Sequence, residues 1–258
     1  DGVLGSLKIV PDAEHGGCGE LQDDGSCDGL VHYRGDWRQE RHPPVTRRCP
    51  AVKQQEALMR ATEERLRLAN VIARVNGTFE GWEPERYPMA GTARDVMVRF
   101  SSARPPKRSV VLFGDVGLGK TRLLLASHLA LLEGGIDSRF VTARQLRHLF
   151  YGAESFDGDT ARDAKVELNR IRSCQVLHID DLGEADEDQR KIGLFRAELK
   201  GLLDDGAFVW AVSLNLTEEA AEQHPEVGQK VLSRLAGKDA VLLRLDGADQ
   251  RRKRKARR

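Results

Sequence analysis

The chain contains no apolar run long enough to cross a bilayer. Its most apolar stretch, 123–132, is interrupted by His128 and falls well short of the roughly 20 residues that a spanning helix requires. No signal-peptide pattern opens it. It begins at Asp1 without a Met, so the loss of a few residues is expected, and a membrane or secreted protein is not. There is no internal repeat. Net charge is nearly absent as well: 41 Lys+Arg stand against 40 Asp+Glu, a formal +1. As a bulk figure this argues against a nucleic-acid partner. What is present, 258 residues of which 40% are hydrophobic and 31% charged, describes a soluble globular chain with one good-sized domain and a smaller appendage.

The near-zero charge is an average over uneven parts. Residues 251–258 hold seven Lys or Arg, and without them 34 basic face 40 acidic residues, a net −6. The first thirty residues carry seven acids opposed only by Lys8. Such asymmetry points to an interaction tail. The tail could track a nucleic-acid backbone or simply solubilise the chain. It has no aromatic to stack on bases, so it implies no sequence preference.

Residues 1–49 are rich in Gly and Asp and hold three of the four cysteines, Cys18, Cys27 and Cys49. Leu58, Ala61, Leu68, Ile72 and Val75 recur at helical spacing, with Arg65 the polar place in the series, and predict a helix over 50–76 that Asn76-Gly77 stops. Phe79, Trp82 and Tyr87 lead into a short helix near 92–102, and Pro105-Pro106 marks a boundary. From Ser109 short apolar runs at 110–113, 139–141, 176–179, 208–214 and 241–245 alternate with helical patterns at 121–133, 160–172 and 189–204. That alternation predicts an α/β fold with a mainly parallel five-stranded sheet flanked by helices, and ligands in such sheets bind beyond the strands' carboxyl ends.

The strongest signal is Gly114-Asp115-Val116-Gly117-Leu118-Gly119-Lys120-Thr121, a full G-x-x-x-x-G-K-[ST] match between an apolar strand and a helix. Its glycines let successive N–H groups point at phosphates beside the positive helix end. Lys120 then meets the β- and γ-phosphates, and the Thr121 hydroxyl meets Mg²⁺. The second signal is Val176-Leu177-His178-Ile179-Asp180-Asp181, a strand ending in two carboxylates, which is costly unless a cation or water is there. Asp180 is expected to hold Mg²⁺ and Asp181 to polarise the attacking water; a plain acidic turn is the bland alternative. The 139–141 strand separates the two motifs in the chain. Asn215, ending the 208–214 strand, is either a sensor of the γ-phosphate or a turn residue before the helix that Thr217 starts. Arg234 is either solvated helix surface or a group directed at a neighbouring subunit's nucleotide.

These segments, in this order, resemble the AAA+ ATPases of the DnaC/DnaI/IstB group over about 79–251. The matching parts are G-D-V-G-L-G-K-T, L-H-I-D-D-L-G, S-L-N and S-R-L followed by a strand and G-A-D-Q-R, with Asp180-Asp181-Leu182-Gly183 the most group-specific. Ser213-Leu214-Asn215 departs from the group's Thr-Ser-Asn, and Arg122 stands where His is common; neither removes a group the chemistry needs. The resemblance implies that 114–122 and Asp180 bind ATP and Mg²⁺, that Asp181 acts on water, that Asn215 is a sensor, and that Arg234 is an arginine finger acting in trans. Arg251 aligns with the group's terminal arginine. Nucleotide kinases fit less well, because the Asp180-Asp181 pair and Asn215 suit attack by water.

The group holds loaders that place the replicative helicase on single-stranded DNA, and transposition helpers that assemble on duplex DNA. His15, Cys18, Cys27 and Cys49, with His32 competing for Cys27's place and His42 nearby, supply ligands for a tetrahedral Zn²⁺ site in a zone too poor in apolar residues to fold unaided. A disulfide is disfavoured in a cytosolic ATPase, and Cys174 is expected to be a buried core residue. Loaders of the DnaI type carry such a zinc domain, which contacts the helicase, and helpers generally do not. The expectation is therefore a cytoplasmic helicase loader that binds ATP, Mg²⁺ and Zn²⁺, a DnaB-like hexamer and single-stranded DNA, and that self-associates through its ATPase domains. A transposition helper is the alternative, and an adaptor that binds ATP but hardly hydrolyses it comes from a different class. The expected organisation is a zinc region over 1–49, a helical linker over 50–106, the AAA+ domain over 107–250 and the basic tail over 251–258.

Overall fold

Strands buried on both faces are apolar at every position, and Val110-Val111-Leu112-Phe113 has that pattern because each of its residues is buried. The computed structural model describes residues 30–31, 47–48, 50–75, 77–79, 88–183, 189–206, 208–237 and 239–246. The chain divides into two units, Asp1–Arg60 and Ala61–Arg258. In the first, β1 (Leu30–Val31) pairs antiparallel with β2 (Arg47–Arg48), and α1 (Pro50–Arg67) begins.

The second unit continues through α2 (Ala69–Val75), α3 (Pro88–Ser102), β3 (Val110–Phe113), α4 (Lys120–Glu133), β4 (Ser138–Thr142), α5 (Ala143–Ala153) and α6 (Gly158–Ser173). There follow β5 (Val176–Leu182), α7 (Gln189–Asp205), β6 (Val209–Leu214), α8 (Glu218–Gln223), α9 (Gly228–Leu235) and β7 (Val241–Arg244). The sheet order is β4-β5-β6-β3-β7, parallel throughout. Val111, Phe113, Leu177, Ile179, Val212 and Leu214 face the layer of α5 to α9, and Val110, Leu112, Val176 and Ala211 face that of α2 to α4. Between the strand before the glycine-rich loop and the strand bearing the acids lies β6, the strand of Asn215. The 139–141 segment, which intervenes in the chain, forms the sheet's edge as β4.

The helix expected over 50–76 divides at Leu68, where α1 ends and α2 begins. Leu68 is buried in the α4-side core. The last turn of α1 meanwhile lies along the exposed edge of β4. Glu64 Oε1 accepts the Phe140 N–H at 3.2 Å and Arg67 donates to the Phe140 carbonyl, so an ion pair takes the place of a neighbouring strand there. Arg67 Nε donates to Glu64 Oε2 at 2.8 Å and Arg139 Nη1 to the same oxygen at 3.0 Å. Burial pushes the Glu64 carboxyl up, but Arg67, the Phe140 N–H and Arg139 hold it below the ordinary value. Helix α5 lies outside the helical patterns read above. A capping box starts it: Thr142 Oγ1 accepts the Gln145 N–H at 3.1 Å and Gln145 Oε1 the Thr142 N–H at 2.9 Å. Cys174 is buried, and its burial pushes the thiol up to about 12. No helix among the described residues is long and apolar enough to cross a membrane.

Candidate functional site: a phosphate loop facing two carboxylates

Residues 114–121 leave the carboxyl end of β3 and turn into α4. Gly114, at φ 138°, lies where an added Cβ would meet the Leu245 carbonyl oxygen at 2.2 Å, so both its conformation and its close approach to the chain after β7 require glycine. Leu118 is buried and anchors the loop in the core, while Asp115 and Val116 are exposed. Gly119, at φ 84°, caps α4 without a side-chain hydrogen bond, leaving the first-turn N–H groups to an anion. Lys120 is 4% exposed, and its Nζ donates to the Gly114 and Asp115 carbonyls, each at 2.7 Å. The ammonium is thereby held against the same loop whose phosphates it would meet. Arg122 Nε donates to the Thr78 carbonyl at 3.1 Å, which ties the 77–79 segment to the first turn of α4.

Beside this loop, β5 is irregular. Its register against β6 shifts between Ile179 and Leu182, and Asp181 takes φ 56°, the left-handed region that Asp tolerates better than most residues. The shift brings two adjacent carboxylates to one place. Asp180 is buried, and Asp181 is partly exposed. Burial first, then the charge of Asp181, pushes the Asp180 carboxyl up to about 6, against hydrogen bonds from Ser213 and Thr121 that lower it. The Thr121 hydroxyl and the Asp180 carboxylate therefore meet.

The neighbouring strand supplies both partners of the acidic pair. Ser213 Oγ donates to Asp180 Oδ1 at 2.5 Å and accepts the Asp181 N–H at 3.0 Å. One hydroxyl thus satisfies a buried carboxylate and the amide at the irregular turn. Asn215 Nδ2 donates to Asp181 Oδ1 at 3.0 Å. Thr217 caps α8 instead, its Oγ1 accepting the Ala220 N–H at 3.2 Å, so Asn215 is not the cap.

The set fits Mg²⁺: two oxygen ligand types, hydroxyl and carboxylate, converge beside the phosphate loop, and a buried acid beside a second acid is relieved by a cation. Among the described residues no grouping of three or more His, Cys, Asp or Glu has a metal-binding arrangement. Residues 114–121, Asp180, Asp181 and Asn215 are brought together at the carboxyl ends of β3, β5 and β6, while the Arg122 side chain is bonded to the Thr78 carbonyl. Arg234 is apart from them on α9, bound to Asp204 and to the Lys230 carbonyl. His15, Cys18, Cys27 and Cys49, with His32 and His42, lie outside the described residues, as do Arg251 and the 251–258 tail. Ser213 is the site residue that sequence reasoning passed over. Its signal was the S-L-N triplet, in which the first and third residues point to the same side of β6 as the acids' partners.

A parallel sheet with β6 between the phosphate-loop strand and a strand ending in two acids, the first meeting the loop's Thr and the second an Asn, defines a P-loop ATPase of the AAA+ class. The chain matches the family of IstB-like ATP binding proteins over residues 52–258, and it belongs to that family. It is similar to the crystal structure of DnaI, at 19% identity over 69% of this chain and 93% of that one, with a TM-score of 0.54. It is likewise similar to the DnaC helicase loader, at 20% identity over 66% and 97% with a TM-score of 0.54. Domain III of the Thermotoga maritima replication initiation protein DnaA matches at 20% identity over 70% and 72%, with a TM-score of 0.52. These likenesses bear on the fold. No match is found among curated proteins.

Proposed function

We propose that the protein is an ATP-dependent loader of a replicative helicase onto single-stranded DNA, in which hydrolysis is a switch that releases the loader. The observation that carries the switch is the Asp180–Ser213 and Asp181–Asn215 bonding across β5 and β6. On this reading the α4 N-terminus and Lys120 bind the triphosphate, and Lys120 exchanges the loop carbonyls for phosphate oxygens. Thr121 and Asp180 hold Mg²⁺, which neutralises charge on the phosphates. Asp181 accepts a hydrogen bond from the attacking water and draws its proton. Asn215 fixes Asp181 from one side and reports the γ-phosphate's loss to β6. Arg234 completes the site of a neighbouring copy, stabilising charge in the transition state. Single-stranded DNA binds the ATPase domain and the 251–258 tail adds backbone contacts.

The helicase reading is supported by fold likeness to DnaI and to the DnaC helicase loader, each matched over nearly its whole chain. Its test is direct. Purified protein should bind a DnaB-like hexamer and raise its occupancy of single-stranded DNA in an ATP-dependent manner; neither effect would occur if the reading is wrong. The family match favours a second reading, a transposition helper that assembles on duplex DNA and activates a transposase. ATP-dependent filaments on duplex DNA without helicase affinity would select it.

The zinc reading of His15, Cys18, Cys27 and Cys49 rests on ligand type and spacing. Metal analysis of protein purified without chelator should find zinc at stoichiometric level. A zinc-free preparation of unchanged fold would remove it.

A further inference from the structure

Arg234 is bonded through two of its three guanidinium nitrogens. Nε donates to Asp204 Oδ1, at the end of α7, and Nη1 donates to the Lys230 carbonyl at 2.8 Å, one turn back in its own helix. Nη2 has no hydrogen-bond partner among the described residues. Asp204 is in turn approached by Lys200 Nζ at 3.1 Å. Hydrogen bonds from Arg234 and then Lys200 hold the Asp204 carboxyl below its ordinary value, so it is ionised throughout the neutral range.

Both helices are rigidly based. Val231, Leu232 and Leu235 of α9 and Leu199, Leu202 and Leu203 of α7 are buried in the same core, and Trp210 Nε1 donates to the Leu235 carbonyl at 3.3 Å. An exposed ion pair of this kind adds little to stability. Its consequence is positional: a long side chain with four rotatable bonds is held at Nε and at Nη1, which leaves Nη2 uncommitted among the described residues.

We propose that Asp204 is a positioning residue for Arg234, holding the guanidinium ready for the nucleotide of a second copy of this chain. The inference rests on the reading of Arg234 as a group that acts in trans. An acid placed here does not compete with the nucleotide for Nη2. It removes conformations in which the side chain lies flat on its own surface, before the subunits meet.

Mixtures of full-length variants test the pair separately from the trans reading. Arg234→Ala subunits keep their own Asp181 but supply no arginine, and Asp181→Asn subunits supply Arg234 but do not hydrolyse. Excess D181N protein should restore ATPase activity to R234A protein. A D181N donor that also carries D204N should restore at least about threefold less, because misplacement of a positioned group is costly in rate. A donor carrying D204E should restore more than the D204N donor. Nucleotide affinity and thermal midpoint of D204N alone should match the unsubstituted protein, since the effect belongs to the donor side only. Equal rescue by the D181N and D181N/D204N donors would overturn the role of Asp204 and leave the trans reading standing. No rescue by D181N at all would overturn the trans reading, and the inference with it.

Discussion

Ser213 and Asp180 are joined at 2.5 Å by a hydroxyl that also accepts the backbone N–H of Asp181. A buried carboxylate adjacent to a second acid needs hydrogen-bond donors to remain ionised, and the left-handed turn at Asp181 needs an acceptor for its amide. Ser213 meets both needs from one position on the next strand. The geometry of the acidic pair therefore depends on a hydroxyl of the neighbouring strand.

Ser213→Ala should lower kcat about tenfold, the expected cost of one lost hydrogen bond to a charged group, with a smaller change in KM. Ser213→Thr retains the hydroxyl on a side chain suited to a strand and should keep most of the activity. Steady-state ATPase assays on the two variants check this, and equal loss in both would assign the effect to volume.

Asn215→Ala should reduce kcat by roughly tenfold or more while nucleotide affinity changes little, because the bond lost is the one from its amide to Asp181. Turnover and fluorescent-nucleotide titration measure the two quantities separately. A large loss of affinity would place Asn215 in binding instead.

Much of this arrangement is legible in the chain. A continuous apolar run marks β3 because parallel strands are covered on both faces, and the spacing of Gly114, Gly119, Lys120 and Thr121 specifies a phosphate loop. Contacts between distant residues leave no such periodic trace. Glu64 meets Phe140 across 76 positions, and Arg234 meets Asp204 across 30. The division at Leu68 is hidden as well, because the apolar spacing continues through it. Helix α5 was legible in principle, through the Thr142-x-x-Gln145 capping box.

Glu64→Ala should be severely destabilising. It leaves Arg139 buried without its carboxylate and the Phe140 N–H without an acceptor, and breaking a buried pair costs about 3–5 kcal/mol. Urea unfolding should show a lower midpoint at similar slope. A loss under about 1 kcal/mol would mean that water replaces the carboxylate at the β4 edge.

Stability should fall as the pH drops from 7 to 5. Burial first, and then the charges of Arg67 and Arg139, hold His128 neutral down to about 3, and burial with His128 keeps His178 well below its ordinary value. His128 Nδ1 contacts Ser138 Oγ at 2.8 Å, and its Nε2 lies 3.7 Å from Glu64 Oε1. Below about 6.5 the unfolded chain takes up protons on these rings that the folded chain does not, so the unfolded state is favoured. His128 contributes a loss of about 2 kcal/mol between pH 7 and 5, and His178 adds to it in the same direction. The dependence should be shallower in His128→Asn, as thermal or urea unfolding across that range would show. An unchanged slope would mean that His128 is protonated in the folded protein.

On the proposed reading Asp181 acts on water while Asp180, Thr121 and Lys120 hold the nucleotide. Single-turnover ATP hydrolysis by Asp181→Asn, measured alongside ATP affinity, tests it most directly. Hydrolysis should fall by at least about a hundredfold, with affinity within about threefold of the unsubstituted protein. Hydrolysis at the unsubstituted rate would contradict it.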